Sequence, residues 1–345
     1  MELKDFSYHL PEELIAQHPC EQRDRSRMML LQRDGGRIND CIFSQLPNFL
    51  QKGDVLVVNN SRVIPARLAG FKPTGASLEI LLLSKKESTD SFQTWEVVLR
   101  PAKRLKENDI IALNADCEAK VLARISEKKW LLRFDCAGSF DDYLKNHGRA
   151  PLPPYVKRKK NNGQLVDDLE RYQTIYAENP GSIAAPTAGL HFSPEVIQSL
   201  QTNGIQIAPL TLHVGFGTFL PIEVSHIEDH VMEPEYYDIS AETAGIINNA
   251  RRVIAVGTTS TRTLESIADE KGVIKAQSGF TNLFIYPGHK FRRVNGLLTN
   301  FHLPQSSLFI LVCTFAGTDF IKKSYAHAVD SRYHFYSYGD CMLIL

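Results

Sequence analysis

A chain of 345 residues is longer than most single domains and predicts one large and one small domain. Lys and Arg together number 39, as do Asp and Glu, so the net charge is zero and a polyanion such as RNA has to be met by a local basic patch. The N-terminus resembles neither a signal nor a transit peptide, and the longest apolar run, 308–316, is too short to cross a bilayer, so we expect a cytoplasmic protein with no membrane partner.

The cysteines are scattered and follow no regular spacing. No C-x-x-C pair occurs, so the sequence predicts neither a disulfide framework nor a zinc knuckle. We expect reduced, mostly buried thiols at all six positions: Cys20, Cys41, Cys117, Cys136, Cys313 and Cys341.

The first half of the chain predicts a β-rich region. A helix is expected near 43–50 and a buried strand at 54–58, and 62–68 continues in extended form. Short β-rich runs then recur about every dozen residues, with turn or charged residues between them, as in a small antiparallel barrel or sandwich. These runs are 77–83, 94–99, 109–113, 117–125 and 129–134.

A hinge and a basic loop follow this region. A short helix is expected at 139–147 and a Pro-rich hinge at 148–154. The next residues, Lys157, Arg158, Lys159 and Lys160, form a four-residue cationic run. Such a run is usually a solvated surface, but near an active site it could contact phosphates.

The second half of the chain alternates helices and strands. Ser193 and Pro194 predict a helix start, and 205–214 a strand. Further helices are expected at 240–251, 258–271, 306–316 and 319–329, and further strands at 252–256, 284–286 and within 333–345.

These elements predict an α/β fold with an inserted domain. We expect a discontinuous, sandwich-like α/β domain formed by residues 1–62 and 150–345. Residues 63–149 form the inserted small antiparallel β-barrel. A cleft at the junction of the two domains is a natural consequence.

The stretch 172–219 is the predicted centre of the molecule. Its loop 179–192 contains almost no charge, which favours a fixed, ligand-facing loop. His191 ends this loop, and His213 lies just before Gly215 and Gly217 at the end of the next predicted strand. Each histidine alone is more often structural, but two in adjacent breaks indicate a site at the carboxyl edge of a sheet.

A hydroxyl-rich turn follows the strand 252–256. Backbone N–H groups at the start of the next helix, together with several hydroxyls, could hold a carboxylate or a phosphate. The hydroxyls could equally serve only to cap the helix. No P-loop, no G-x-G-x-x-G and no G-x-S-x-G motif is present. The candidate ligand-binding residues are Thr258, Thr259, Ser260, Thr261 and Arg262.

Two further polar patterns carry histidine. His226 and His230 have a zinc-like spacing, but the H-E-x-x-H order is absent and no third ligand is evident, so we expect no metal. Asn300 and His302 lie between apolar residues, and buried polar groups of this kind need partners. A substrate could be one of them.

Seven sequence blocks are specific enough to indicate a family: NNSRVIPARL, AAPTAGLHF, TLHVGFGTF, IEDHVMEPEY, VIAVGTTSTRTLES, TNFHLPQSSL and YSYGDCMLI. They resemble the S-adenosylmethionine:tRNA ribosyltransferase-isomerases of queuosine biosynthesis. The likeness runs in order along essentially the whole chain and is weakest in the β insert. In this family Arg usually stands where His334 is, and Ala where Cys341 is, which bears on local packing more than on activity.

The resemblance implies transfer and isomerisation of the ribosyl group of S-adenosylmethionine onto 7-aminomethyl-7-deazaguanine in tRNA. S-adenosylmethionine is then a consumed co-substrate, with no permanently bound cofactor, and we expect a monomer. The reaction needs a base and an acid, for which histidine is suited. We favour His302 and His213, then His191, over His226 and His230. The expected substrate-binding residues also include Gly215, Gly217, Asn300, Asn59 and Arg67.

Two other functions stay open at this point. One is a tRNA-binding protein without transferase chemistry, in which the β insert is an RNA platform. The other is a nucleotide glycosyltransferase or hydrolase that uses the turn at 258–262 for phosphate.

Overall fold

The computed structural model describes residues 1–114, 116–158, 165–219 and 221–345, without the side chains of 165–167 and 218–219. The strands in these ranges are β1 Arg27–Gln32, β2 Arg37–Ile42, β3 Asp54–Asn59, β4 Ser61–Val63, β5 Arg67–Phe71, β6 Ser77–Ser88, β7 Phe92–Arg100, β8 Ile110–Asn114, β9 Cys117–Arg124, β10 Lys129–Cys136, β11 Asn179–Ser182, β12 Gln206–Leu212, β13 Glu235–Ile239, β14 Arg252–Val256, β15 Gln277–Thr281, β16 Gly296–Asn300 and β17 Cys341–Ile344. The α-helices are α1 Phe140–His147, α2 Leu165–Arg171, α3 Pro194–Thr202, α4 Ala241–Asn248, α5 Gly257–Ile267, α6 Ser307–Ala316 and α7 Thr318–Asp330.

A nine-stranded mixed sheet forms the body, in the order β15-β13-β12-β3-β14-β16-β17-β1-β2. Its centre is parallel, because β12, β3, β14 and β16 run in the same direction. All six residues of β3 are buried, as expected for a strand covered on both faces. The carboxyl ends of these four strands therefore meet at one edge of the sheet, next to the helices that follow them.

The inserted segment folds as a closed antiparallel barrel. Its six strands follow the order β10-β7-β6-β5-β8-β9, and alternate side chains such as Ile80, Leu82 and Leu132 fill its interior. The α/β fold class with an inserted barrel is thus confirmed. The exact division at 62/63 and 149/150 stays a prediction, and the barrel strands lie within the predicted insert.

Several contacts join the barrel to the body. The short parallel pair β4 and β11 lies where the chain enters the barrel. Arg67 and Arg149, near the two ends of the insert, pair in a single antiparallel bridge. On the hairpin between β9 and β10, Lys129 Nζ lies 2.5 Å from Glu233 Oε1 in the body. The two parts therefore contact each other along a long junction.

The structure differs from the sequence-based expectations at some elements. No strand forms at 284–286, and the helix expected near 43–50 is a 3-10 helix over Phe43–Phe49. The strands β1, β2, β13 and β15, which form the two ends of the sheet, were not predicted, because each is a short segment without a clear alternation. Among the described residues, no helix has both the length and the apolar character needed to cross a bilayer.

The reduced-thiol expectation is wrong for one cysteine pair. Cys117 and Cys136 stand opposite each other across β9 and β10 and form a disulfide, with their Cα atoms 4.0 Å apart. The pairing depends on strand register, which a separation of 19 residues does not reveal. Cys313 and Cys341 are free and buried, as expected.

Candidate active site

A cavity opens at the carboxyl edge of the central strands, where β14 and β16 end. Its volume is about 690 Å³ counted to its mouth. The loop 184–188, the start of α5, the residues after β16 and four side chains from distant parts of the chain form its walls. Those four are Tyr155, Tyr172, Tyr336 and Ser337. This is the edge at which open α/β sheets bind ligands.

The start of α5 forms one wall. Gly257 has a φ of 87°, which lets the chain turn sharply from β14 into the helix. Thr258 and Thr259 line the cavity, and the Thr259 Oγ1 atom is buried with no hydrogen-bond partner among the described residues. By contrast, Ser260 and Thr261 donate to backbone carbonyls four residues earlier. Of the predicted hydroxyl cluster, the first two residues therefore line the cavity.

Asn300 is the last residue of β16, and its amide orientation is fixed by its neighbours. The Nδ2 group donates to the carbonyls of Tyr336 and Gly339 and to Nε2 of His191. A carboxamide nitrogen donates hydrogen bonds and cannot accept them, so the atom that faces these three acceptors is Nδ2, and Oδ1 points away from them. Asn300 lines the cavity, and its Oδ1 is a buried acceptor that the described residues leave without a hydrogen bond.

His191 holds Asn300 from behind. Because Asn300 donates to Nε2, the proton of His191 is on Nδ1, which lies 2.7 Å from Ser26 Oγ and donates to it. Burial, with a smaller contribution from the charge of Arg23, lowers the pKa of His191 to about 4. His191 is thus neutral and does not line the cavity. We reassign it from a catalytic candidate to a residue that positions Asn300.

His302 is the one predicted catalytic histidine that lines the cavity. Its Nε2 lies 2.9 Å from Thr299 Oγ1, and its backbone N–H donates to the hydroxyl of Tyr325. Nδ1 has no hydrogen bond among the described residues. Burial lowers the pKa of His302 to about 3, so the ring is neutral at physiological pH.

His213 lies on the other face of its strand. The side chains of Leu210, Leu212 and Val214 share one phase of β12 and its continuation, and it is Val214 that lines the cavity. The ring of His213 instead stacks on Tyr236 and covers Gly181, where an added Cβ would lie 2.7 Å from the ring. The structure therefore does not bring His213 together with His302.

The comparisons with known proteins agree along the whole chain. A family model described as "Queuosine biosynthesis protein" matches residues 3–344. The chain belongs to this family. It is 55% identical over 361 residues to the S-adenosylmethionine:tRNA ribosyltransferase-isomerase of Syntrophus aciditrophicus, and 47% identical over 351 residues to that of Desulfitobacterium hafniense. Both alignments cover 100% of each chain.

A solved structure gives the same result. The chain is similar to the crystal structure of the S-adenosylmethionine tRNA ribosyltransferase of Thermotoga maritima, with 36% identity and a TM-score of 0.55. The match covers 99% of this chain and 100% of the other. The resemblance seen in the seven sequence blocks is thereby confirmed.

Arg262 does not line the cavity. It is buried and forms an ion pair with Glu235, while its Nε donates to the carbonyl of Leu283 over 2.9 Å. Glu235 Oε1 in turn accepts from the N–H of Gly215 at 2.9 Å. The expected role of Arg262 as a carboxylate ligand is therefore replaced by a structural one, in which the pair anchors the loop that starts at Gly215.

The other predicted ligand residues also have structural partners. Asn59 bridges the ends of β3 and β12, because its side chain bonds both backbone groups of Leu212. Gly217 lies against Glu233, and neither it nor Gly215 lines the cavity. Arg67 pairs with Glu79 and lies in a separate cleft.

The predicted tRNA-binding run is only partly described. Arg158 forms a two-pronged ion pair with Asp168, and Lys157 lies 2.8 Å from Glu12 on the surface. Lys159 and Lys160 lie outside the described residues. Two of the four cations are therefore already matched by carboxylates.

Metal binding finds no support in the described residues. No cluster of three or more potential metal ligands occurs among them. His226 and His230 flank a short 3-10 helix, Ile227–Asp229, and His230 packs against Phe284. Their spacing of four thus does not place them on one face of an α-helix.

Sequence reasoning missed the tyrosines of the cavity. Tyr172 is buried, and its hydroxyl makes no regular hydrogen bond in the described ranges, although Ser337 and the backbone of Ala185 lie near enough to offset part of the effect of burial on its pKa. Burial raises the pKa of Tyr172, so its phenol stays protonated and can donate. Its position at the start of the central stretch was a signal, but a lone aromatic residue there is equally typical of a core.

The two neutral histidines make stability depend on pH. Unfolded histidine titrates near 6.5, whereas folded His191 titrates at about 4. Between these values the unfolded state binds more protons than the folded state. The contribution of His191 to the free energy of unfolding is therefore fully present above pH 6.5, and it falls by up to about 1.4 kcal/mol per pH unit below that value. We expect the free energy of urea unfolding to fall less steeply from pH 7 to pH 5 in His191→Gln than in the parent protein. Equal slopes for variant and parent would contradict this assignment.

Proposed function

We propose that the protein is an S-adenosylmethionine:tRNA ribosyltransferase-isomerase. It transfers and isomerises the ribosyl group of S-adenosylmethionine onto the aminomethyl group of 7-aminomethyl-7-deazaguanine in tRNA, and releases adenine and methionine. The modified product is epoxyqueuosine-tRNA. We also propose that it works as a cytoplasmic monomer.

One observation carries this proposal at the level of the site. Tyr172, Thr259 and Asn300 line one cavity with His302, and each has a buried side-chain polar atom without a regular hydrogen bond in the described chain. Buried polar groups are nearly always hydrogen-bonded in native proteins, and each orphan costs about 1–3 kcal/mol. A polar ligand of several functional groups would satisfy all three.

S-adenosylmethionine has groups that match these atoms. Its ribose hydroxyls can donate to Asn300 Oδ1. Its carboxylate suits the N-terminus of α5, where free N–H groups and the hydroxyl of Thr259 meet. The protonated phenol of Tyr172 can donate to a nitrogen of the departing adenine. Each of these contacts uses a group that the protein itself leaves unsatisfied.

His302 is the proposed general base. The sulfonium makes the adjacent C5′ hydrogen acidic, and a base must remove it before the ribosyl carbon skeleton can rearrange. Nδ1 can accept this proton if Nε2 carries the ring proton and donates to Thr299 Oγ1. A neutral, buried ring is ready for this role across the physiological pH range.

Adenine release tests the proposed function. The protein is incubated with S-adenosylmethionine and with tRNA that carries 7-aminomethyl-7-deazaguanine, and free adenine and methionine are quantified. We expect both in equal amounts, and none with tRNA that has guanine at the same position. Binding of tRNA without adenine release would overturn the proposal in favour of a binding protein.

A further inference from the structure

A second, larger cleft separates the barrel from the body. Its volume is about 2420 Å³ counted to its open mouth, several times that of the candidate active site. The insert contributes Arg67, Val98–Arg100 and Arg149, and the body contributes the Pro-rich segment 150–154. An open groove of this size suits a macromolecule better than a small metabolite.

The cleft and the candidate active site share a wall. Pro154 and Val156 line the cleft, whereas Tyr155 between them lines the active-site cavity. In the same way Ile183 faces the cleft and Ala184 faces the cavity. One layer of chain therefore lies between a ligand in the cleft and the residues of the reaction.

The cleft carries a local excess of positive charge. Five cationic and three anionic side chains line it, although the whole chain has no net charge. Two of the anions are already used, because Glu79 pairs with Arg67 and Asp168 pairs with Arg158. Lys128 pairs with Glu223 outside the cleft. Arg100 and Arg149 are thus the cleft cations without an ion pair among the described residues, against the one remaining cleft anion, Glu127.

Those cations continue onto an anchored loop of the barrel. Arg100 lies at the cleft, and Lys103, Arg104 and Lys106 follow it, all exposed and without an ion pair among the described residues. The loop backbone is held in place, since Leu105 is buried and Asp109 accepts from the N–H of Lys106 at 2.9 Å. A fixed loop with freely exposed cations loses little entropy when it meets a polyanion.

We propose that this cleft, with the loop 100–106, binds the phosphate backbone of the substrate tRNA. The inference rests on the proposed function and names the surface that delivers the modified base to the neighbouring cavity. One guanidinium group can donate two parallel hydrogen bonds to a phosphate, so Arg100 and Arg104 can orient the backbone as well as supply charge. In the cationic run at 157–160, by contrast, Arg158 is committed to Asp168 and Lys157 pairs with Glu12.

The salt dependence of tRNA binding tests this surface. The triple variant Arg100→Gln, Lys103→Gln, Arg104→Gln removes three charges from the loop. The matched control Lys271→Gln, Lys275→Gln, Lys323→Gln removes three exposed charges that line no cleft. For the loop variant we expect weaker tRNA binding and a slope of log K against log salt that is smaller by about two, at roughly 0.7–0.9 per lost phosphate contact. The control should keep the parent slope.

The outcomes separate the alternatives. Equal slopes for both triple variants would overturn the proposal, and so would an equal loss of affinity for tRNA and for a DNA duplex of similar length, which would indicate a general polyanion surface. Adenine release by the loop variant should show a raised KM for tRNA and an unchanged KM for S-adenosylmethionine. If the parent protein released no adenine, the proposed function would fail, while the binding result would still decide the role of the cleft.

Discussion

The variant His302→Ala is expected to lower kcat for adenine release by about a hundred- to ten-thousand-fold, the usual contribution of a general base. The reason is geometric. His302 lines the cavity with a ring nitrogen that has no hydrogen bond in the described chain, whereas His191 uses both nitrogens and His213 lies outside. The measurement is a single-turnover assay at saturating S-adenosylmethionine and tRNA.

Two controls accompany this experiment. His302→Gln can keep a hydrogen bond to Thr299 but supplies no comparable base, so it should fold like the parent and still lose kcat. His213→Ala should retain kcat within about tenfold, because its ring packs on Gly181 and Tyr236. If His302→Gln stayed within about tenfold of the parent, the assignment of the base would be wrong.

The pH profile gives an independent view of His302. Because its pKa is lowered to about 3, protonation of this ring should not reduce kcat between pH 8 and pH 5. A fall in kcat centred near 6.5, the ordinary value for histidine, would indicate a different and more exposed base.

The fold was largely predictable because its signals are local. The barrel strands recur at a regular spacing, β3 and β14 are short apolar runs, and Ser193, Ser240 and Ser306 cap the helices that they precede. The last two strands at one end of the sheet, β13 and β15, carry charge and glycine within short segments. Their pairing depends on neighbours that a sequence window does not contain.

The candidate site was predictable only in part. The alternation of side chains along a strand explains why one predicted histidine lines the cavity and another does not. His213 and His302 both follow strands that end at the same edge, yet only His302 faces the cavity. In β12 the buried residues Leu210 and Leu212 set the phase, which assigns Val214 to the cavity side and His213 to the opposite side. This alternation was present in the sequence, but the face that a cavity would occupy was not.

The hydroxyl turn shows a second limit. The sequence placed Thr258, Thr259, Ser260 and Thr261 at a helix start, which is correct. Which hydroxyls stay available depends on the helix phase, because Ser260 and Thr261 reach back to carbonyls four residues earlier. Thr258 and Thr259 thus line the cavity, whereas the hydroxyls of Ser260 and Thr261 bond to the helix backbone.

The partner of Arg262 could not be foreseen, and it leads to the largest expected effect on stability. Arg262 and Glu235 are 27 residues apart and form an ion pair in which both side chains are almost fully buried. Breaking a buried pair by removing one partner typically costs about 3–5 kcal/mol, because the other charge stays in a medium that solvates it poorly. We therefore expect Arg262→Met to lower the free energy of urea unfolding by about that amount.

The double variant Arg262→Met, Glu235→Gln decides whether charge burial is the cause. Gln keeps an oxygen that can accept from the N–H of Gly215 but carries no charge, so the double variant should be more stable than Arg262→Met alone. A ligand role for Arg262 predicts the reverse pattern, with unchanged unfolding and a raised KM for S-adenosylmethionine. Should Arg262→Met unfold within about 1 kcal/mol of the parent, or should the double variant recover nothing, the buried pair would not be what anchors the loop at Gly215.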